Sequence, residues 1–404
     1  MRILALSEHF LPRIAGTAMT VQKTAAALAR QGHEVTMLVP NPAFPDIDAE
    51  QEFAVKRIGP DLSTHGHPPR ADRYAFCRAA DAEIKRAIAA GEVDIVHVMF
   101  GLFLMEELDT RAYVEAGVPS VAMIHNMPPH ECARTWDDSP LHQRLLDRAR
   151  LLGVAAKNAA RLKRHPYAAY LVPSAQVNGL VSKVLPDRRV VTVEHGVTDT
   201  ILSLMDPPET HRPANGAKIR LLTVGGFTPH KRQHLVPDIV ENLQARDIDV
   251  EWTLAGAQAR NSPYFEALQQ QVDKRGLQDA IRIRTSLSDA DLAAAYDEAN
   301  IYVQPSTEEG FCLTALDAAA AGLPVIGSPA GAIPSIVEAS NGTLATSAVA
   351  PLADAIADFI RSDSWSDDTA ERIAMVRKEW DWDRVARETE EVYRFALNGL
   401  PRSD

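Results

Sequence analysis

MRILALSEHFLPRIAGTAMTVQKTAAALARQGHEVTMLVP, residues 1–40, carries the pattern that sets the fold. Arg2–Leu6 is a short apolar run and reads as a strand. The loop Pro12–Gly16 follows, then Thr17–Arg30 with Val21, Ala25 and Leu28 on one helical face. Gly32 stops that helix, and a second strand, Val35–Val39, ends at Pro40. Strand, helix and strand in this order form a βαβ unit, which crosses over right-handedly into a parallel sheet.

The same rhythm continues, with strands expected at Ile95–Val98, Ser120–Ile124, Ala169–Val172 and Val190–Val193. A second run starts afresh at strand Ile219–Val224. It continues with a helix over Gln233–Gln244 and strands Glu251–Ala255 and Ile281–Thr285. SDAD (288–291) reads as a capping-box helix start. Strand Ile301–Gln304, a helix from about Leu313 and strand Val325–Gly327 close the run. Met205–Lys218, with three prolines, is the expected linker. The reading is therefore α/β, with two doubly wound parallel-sheet domains, 1–204 and 219–382, facing a cleft.

Bulk properties narrow the function. The chain has 404 residues, 46% hydrophobic and 24% charged, which is globular composition. No run approaches the ~20 apolar residues of a membrane span. The N-terminal apolar run is too short for a signal peptide, so a cytoplasmic location is expected. Cys77, Cys132 and Cys312 show no metal-ligand spacing and read as incidental thiols. The net charge of −12 is uneven. Residues 1–200 carry 23 Lys+Arg against 23 Asp+Glu, and the remainder carry 19 against 31. That asymmetry argues against nucleic-acid binding and leaves the first half free to meet an anion.

Four segments can carry chemistry. PSTEEGFCLTALDAAAAGLPV (305–325) ends a strand, bears Glu309 and Gly310 on a loop, and starts a helix whose first amides favour an anion. Eight residues at ~1.5 Å rise put Glu309 and Asp317 ~12 Å apart, about the reach from sugar to ribose in a nucleotide diphosphate sugar. TVGGFTPHKR (223–232) offers Gly225 and Gly226 for close backbone approach and Lys231 and Arg232 as cations for a diphosphate; a plain turn with a solvated basic pair fits equally. In PRIAGT (12–17), Gly16 precedes a helix start and suits either a ligand or an ordinary turn. His125, in IHNMPPH (124–130), follows a strand at the edge where ligands of open α/β sheets bind. His97 in DIVHV (94–98) reads as a core residue instead.

Together these segments resemble glycosyltransferase family 4, retaining enzymes of GT-B architecture, over essentially the whole chain. The family's Glu-x7-Glu signature appears as Glu309…Asp317. The resemblance implies a catalytic set of Glu309, Lys231 and His125: Glu309 on the donor sugar, Lys231 on the diphosphate, His125 on the transferred sugar. Asp317 would take the ribose hydroxyls and Gly16 would lie against the sugar-phosphate. Gly225, Gly226, Arg232, Gly310, Phe311, Cys312 and Leu313 complete the implied donor site. WDWDRVA (380–386) through Val392 and Tyr393 looks like the family's final helix, crossing back onto the first domain over about 383–404.

The chain departs from the pattern in four places. The second Glu is Asp317, Gly226 replaces an Arg, Ala15-Gly16 replaces a double glycine, and Ser335 in GAIPSIV (331–337) replaces a late Glu.

The expected reaction moves a hexosyl group from a UDP-sugar, favoured over a GDP-sugar, to an unidentified acceptor: a glycan, a lipid-linked sugar or a small metabolite. The leaving diphosphate is stabilised electrostatically, and its phosphate takes the acceptor's proton on the same face. Asp46-Ile-Asp48 lies in a linker-like loop and Asp289-Ala-Asp291 at a helix start, so neither is expected to hold a metal, and no cofactor is expected. Competing readings are a sugar-nucleotide epimerase, a phosphorylase, and a sugar-nucleotide sensor or inactive homologue. Residues 144–164 space Arg144, Arg148, Lys157, Arg161 and Arg164 beside leucines, which fits either peripheral contact with an anionic membrane or a solvated basic face. Lys231 and Glu309 are expected on exposed strand-end loops, so replacing either with alanine should abolish transfer with little loss of folding.

Overall fold

The computed structural model describes residues 1–12, 16–62, 68–126, 142, 153, 156, 159–160, 162–205, 211–214, 216–257, 262–362, 365 and 369–399. Outside the segment 130–151, the chain divides into two compact units. The first runs to Gly196 and resumes at Asp381, and the second is Val197–Trp380.

The first unit is built on a seven-stranded sheet: β1 (Arg2–Ser7), β2 (Glu34–Asn41), β3 (Ala54–Asp61), β4 (Ile95–Phe100), β5 (Ser120–Met123), β6 (Ala169–Val172) and β7 (Val190–Thr192). Their order is β3-β2-β1-β4-β5-β6-β7, and every pairing is parallel. Alternate residues feed two cores. Leu4, Leu6, Val96 and Val98 pack on one face, and Ile3, Ala5, Ile95 and Met99 on the other. A parallel sheet covered on both faces requires such nearly continuous apolar strands.

The final helix, Trp382–Asn398, belongs to this first unit. It buries Trp382, Val385, Ala386, Val392 and Tyr393 against the first helix, Gly16–Arg30, and the sheet. Tyr393 Oη lies 2.6 Å from His97 Nδ1. Burial holds that imidazole neutral, its pKa pushed down to about 3, so His97 is the core residue its sequence context indicated.

The second unit contains β8 (Ile219–Val224), β9 (Val250–Gly256), β10 (Ile281–Thr285), β11 (Ile301–Gln304), β12 (Val325–Gly327) and β13 (Thr343–Leu344). They run parallel in the order β10-β9-β8-β11-β12-β13. The expected capping box is present: Ser288 Oγ accepts from Asp291 N at 3.1 Å, and the Asp291 carboxylate reaches back to Ser288 N at 3.4 Å.

Several expectations change. β3 is an additional strand, half exposed and carrying Lys56, Arg57 and Gly59, which hid it from an apolar pattern. The helix at Gln233 opens as a 3-10 turn, Gln233–Leu235, before Val236–Gln244. Asp46-Ile-Asp48 is not in a loose loop. Pro45–Ala49 is helical, and Asp48 holds Arg57 with two contacts of 2.8 Å. The passage between units falls at Gly196–Val197, ahead of the expected linker 205–218. Within that segment His211 is buried, its ring nitrogens 2.8 and 2.9 Å from the carbonyls of Ala299 and Ala321. Most of 144–164 lies outside the described residues, as does Cys132. Among the described residues no helix is long and apolar enough to cross a membrane.

A buried lysine–glutamate pair at the candidate donor site

In the second sheet the strand order reverses between β8 and β11, which pair through Ile301 with Leu221 and Tyr302 with Leu222. Ligands of open α/β sheets bind beyond the C-terminal ends of strands at such a switch point. The segment after β8 carries Gly225, Gly226 and Lys231, and the segment after β11 carries Glu309. Sheet order thus makes neighbours of residues 78 apart in sequence.

Lys231 Nζ lies 2.7 Å from Glu309 Oε1, with only 17% and 8% of the two side chains exposed. Burial opposes both charges. The Glu309 carboxylate nevertheless holds the ammonium above its ordinary pKa, and the Lys231 charge holds the carboxyl below its own. The expectation that both sit exposed is therefore corrected: they form a closed ion pair.

Backbone contacts fix the two loops. Thr307 N donates to His230 O at 2.9 Å, tying one loop to the other. Gln233, fully buried, donates to Gly226 O at 3.0 Å. The Lys231 stem runs beside Gly225, where an added Cβ would sit 3.5 Å from its Cε. Gly331 backs onto Glu309 with φ +60°, and a Cβ there would stand 2.7 Å from the Glu309 Cβ. Only glycine fits.

Gly310 and Phe311 lie in this loop, with Phe311 buried and its carbonyl accepting from Ala332 N at 3.0 Å. The following helix is Leu313–Ala320, so Glu309 to Cys312 is loop and the axial-rise argument applies only from Leu313 onward. Cys312 precedes this helix with φ 93° and provides no side-chain cap, leaving the first-turn amides to other partners. Its buried thiol has a pKa pushed up to about 12, so it is neutral.

Asp317 and Arg232 are engaged elsewhere. Asp317 is 5% exposed. Its two oxygens accept from Thr198 N and Thr198 Oγ, each at 3.0 Å. Burial pushes its pKa up to about 7, against the pull of those two donors. Arg232, at φ 58°, donates to Ser347 O at 3.2 Å. Ser335, in place of the late acid, donates to Ala332 O at 2.9 Å.

Gly16 and His125 belong to the first unit. Gly16 starts the helix Gly16–Arg30, while Ala15 lies outside the described residues. The first sheet reverses between β1 and β4, and there Glu8 N donates to Phe100 O at 3.1 Å. Glu8 is buried against Arg73 at 2.8 Å. His125 Nε2 lies 2.8 Å from Met99 O. A carbonyl only accepts, so Nε2 carries the proton and Nδ1 is the acceptor. Burial lowers the His125 pKa to about 4, and the ring is neutral near pH 7.

His195 was not singled out from sequence. Its ring centroid is 5.4 Å from that of His125 and 6.4 Å from Trp382. The rule that selected His125, a histidine just after a parallel strand, also applies to His195 after β7. Thr198 in the same EHGVT segment carried no signal, because its partner Asp317 is 119 residues away.

Residues 14–200 match the sequence family described as Glycosyltransferase Family 4, and residues 209–377 match Glycosyl transferases group 1. The chain belongs to glycosyltransferase family 4. It is 30% identical over 156 residues to a D-inositol 3-phosphate glycosyltransferase of Paenarthrobacter aurescens, a match spanning 38% of each protein. A GDP-mannose-dependent alpha-mannosyltransferase of Mycolicibacterium smegmatis aligns at 26% identity over 345 residues, 82% of this chain and 80% of the relative. Anabaena HepE, solved in complex with UDP and glucose, superposes with a TM-score of 0.68 at 18% identity, covering 98% of this chain and 99% of the other. The family 4 chain thus has two parallel-sheet α/β units of GT-B type. It is an enzyme, a nucleotide-sugar-dependent glycosyltransferase of the hexosyltransferase kind.

Proposed function

We propose that this family 4 enzyme transfers a hexosyl group with retention from a nucleotide diphosphate sugar, UDP-linked in preference to GDP-linked, to an acceptor hydroxyl. The observation that carries the reading is the buried Lys231–Glu309 pair at the switch point of the second sheet. A lysine held charged in a closed site suits a leaving diphosphate, because charge developing there meets a preorganised cation away from bulk water. Glu309 then accepts from the sugar's hydroxyls. The first amides of Leu313–Ala320, with Gly225, Gly226, Gly310, Phe311 and Cys312 around them, receive the diphosphate.

Asp317 takes ribose hydroxyls in exchange for a Thr198 contact, and Gly16 and neutral His125 are assigned to the sugar-phosphate and the transferred sugar by the family resemblance alone. The departing phosphate accepts the acceptor's proton, which keeps attack on the same face and needs neither metal nor cofactor. The acceptor is a glycan, lipid-linked sugar or small metabolite, and the setting is cytoplasmic, with peripheral membrane contact through 144–164. HepE's UDP and glucose, and the mannosyltransferase's GDP-mannose, bracket the donors worth testing.

The test is nucleotide release from a panel of UDP-, GDP- and ADP-sugars, with and without acceptor and with a chelator, followed by NMR of the product's anomeric proton. Retention with undiminished activity in chelator supports the reading. Donor binding without any release marks a sensor, and release with inverted configuration removes the mechanism.

A further inference from the structure

Tyr302, Gln304 and Ser306 stand at alternate positions on β11 and the extended residues beyond it, so the period of two places them on one face. All three are fully buried, an unusual place for an amide and a hydroxyl unless every polar atom is used.

The bonds form one chain. Ser306 Oγ lies 2.7 Å from Glu309 Oε1, Gln304 Nε2 lies 2.6 Å from Ser306 Oγ, and Tyr302 Oη lies 2.6 Å from Gln304 Oε1. An ionised carboxylate only accepts, so Ser306 must donate to it. The Ser306 oxygen then accepts from the amide, which fixes the amide's orientation and turns its oxygen towards Tyr302. Gln304 Nε2 also reaches Glu309 Oε1 at 3.3 Å. With Lys231, three donors converge on that one oxygen. Among the described residues Glu309 Oε2 takes no hydrogen bond.

We propose that Gln304 and Ser306 are positioning residues that aim Glu309, fastening Oε1 into the protein and leaving Oε2 as the single oxygen presented to the donor sugar. The inference rests on the proposed role of Glu309 as the sugar's acceptor group. It explains why a glutamine occupies the end of a central strand and why the Ser306 carbonyl is itself pinned by the Ser328 hydroxyl. A carboxylate with one oxygen committed cannot rotate, so its free lone pairs keep a fixed direction.

The experiment compares Ser306→Ala and Gln304→Met, each alone and on a Glu309→Gln background, using whichever donor turns over in the panel. Each single change should lower kcat about ten-fold or more, the scale of a lost hydrogen bond to a charged group. It should also move the acidic limb of the kcat/KM profile to higher pH, while affinity for the released nucleotide stays unchanged. On the Glu309→Gln background the same changes should have no further effect on residual turnover. An unmoved profile, or an equal loss on that background, overturns the proposal.

If no donor turns over even in the wild type, the functional reading fails, and unfolding against pH still judges the relay. In Ser306→Ala the deficit in stability should be largest where Glu309 is ionised and should shrink as pH falls through its folded pKa, flattening the acid limb, because the lost donor served the charged form. An identical acid limb overturns the proposal.

Discussion

Removing one partner of the Lys231–Glu309 pair leaves the other charge without its counter-ion in a site mostly closed to water. Lys231→Met and Glu309→Gln should each lose transfer and destabilise by ~3–5 kcal/mol in urea denaturation, the range for breaking a buried pair. The double variant should recover part of that loss, since no lone charge remains; a double variant as unstable as the sum of the singles would contradict the pairing. Asp317 offers a second test. Its folded pKa of about 7 lies above its ordinary 3.8, so the folded chain holds a proton there that the unfolded chain has released. That contribution is intact below about pH 4 and is lost as pH rises towards 7. Asparagine mimics the protonated acid, its oxygen accepting from Thr198 N and its amide donating to the Thr198 hydroxyl. Asp317→Asn should therefore melt higher than wild type at pH 8, with the gap closing below pH 5. Cys312 holds a left-handed backbone that glycine adopts freely. Cys312→Gly should be more stable than Cys312→Ala by ~1 kcal/mol, reversing the usual order of those residues, as measured by thermal melts.

At the scale of strands and helices, the loop from Pro305 to Cys312 holds its shape through its neighbours. Gly331→Ala should push the Glu309 backbone aside, lowering both melting temperature and turnover, whereas substitution at Gly276, with open space around it, should leave turnover intact. β6, β8, β11 and β12 were legible because both of their faces are largely apolar, and the edge strand β10 because Ile281 and Ile283 alternate with Arg282 and Arg284; all five fall where their residues predicted. β3 was missed because an edge strand meets water and can carry Lys56 and Arg57. Glu309 and Lys231 were singled out from loop and helix-start chemistry. Their mutual pairing was not, because it depends on which strands lie side by side, and 78 residues of sequence carry no such record. Thr198 and Gln304 escaped for a related reason: a polar side chain reveals its purpose only through its partner.

At the scale of the whole molecule, the first unit is discontinuous in sequence. Its core takes in Trp382, Val385 and Tyr393 from the far end of the chain, while the strands of the second unit all lie within Val197–Trp380. Tyr393→Phe should lower the stability of the first unit by ~1–2 kcal/mol, since the buried His97 Nδ1 then loses its hydroxyl partner. The same threading imposes an order on synthesis. While the last helix is still inside the ribosome, the nascent amino-terminal sheet has one flank bare, although most of its strands were translated long before. The second unit's strands will by then have been translated. A released chain ending at Glu379 should therefore be half-protected, with the first unit's residues the most readily cut by protease.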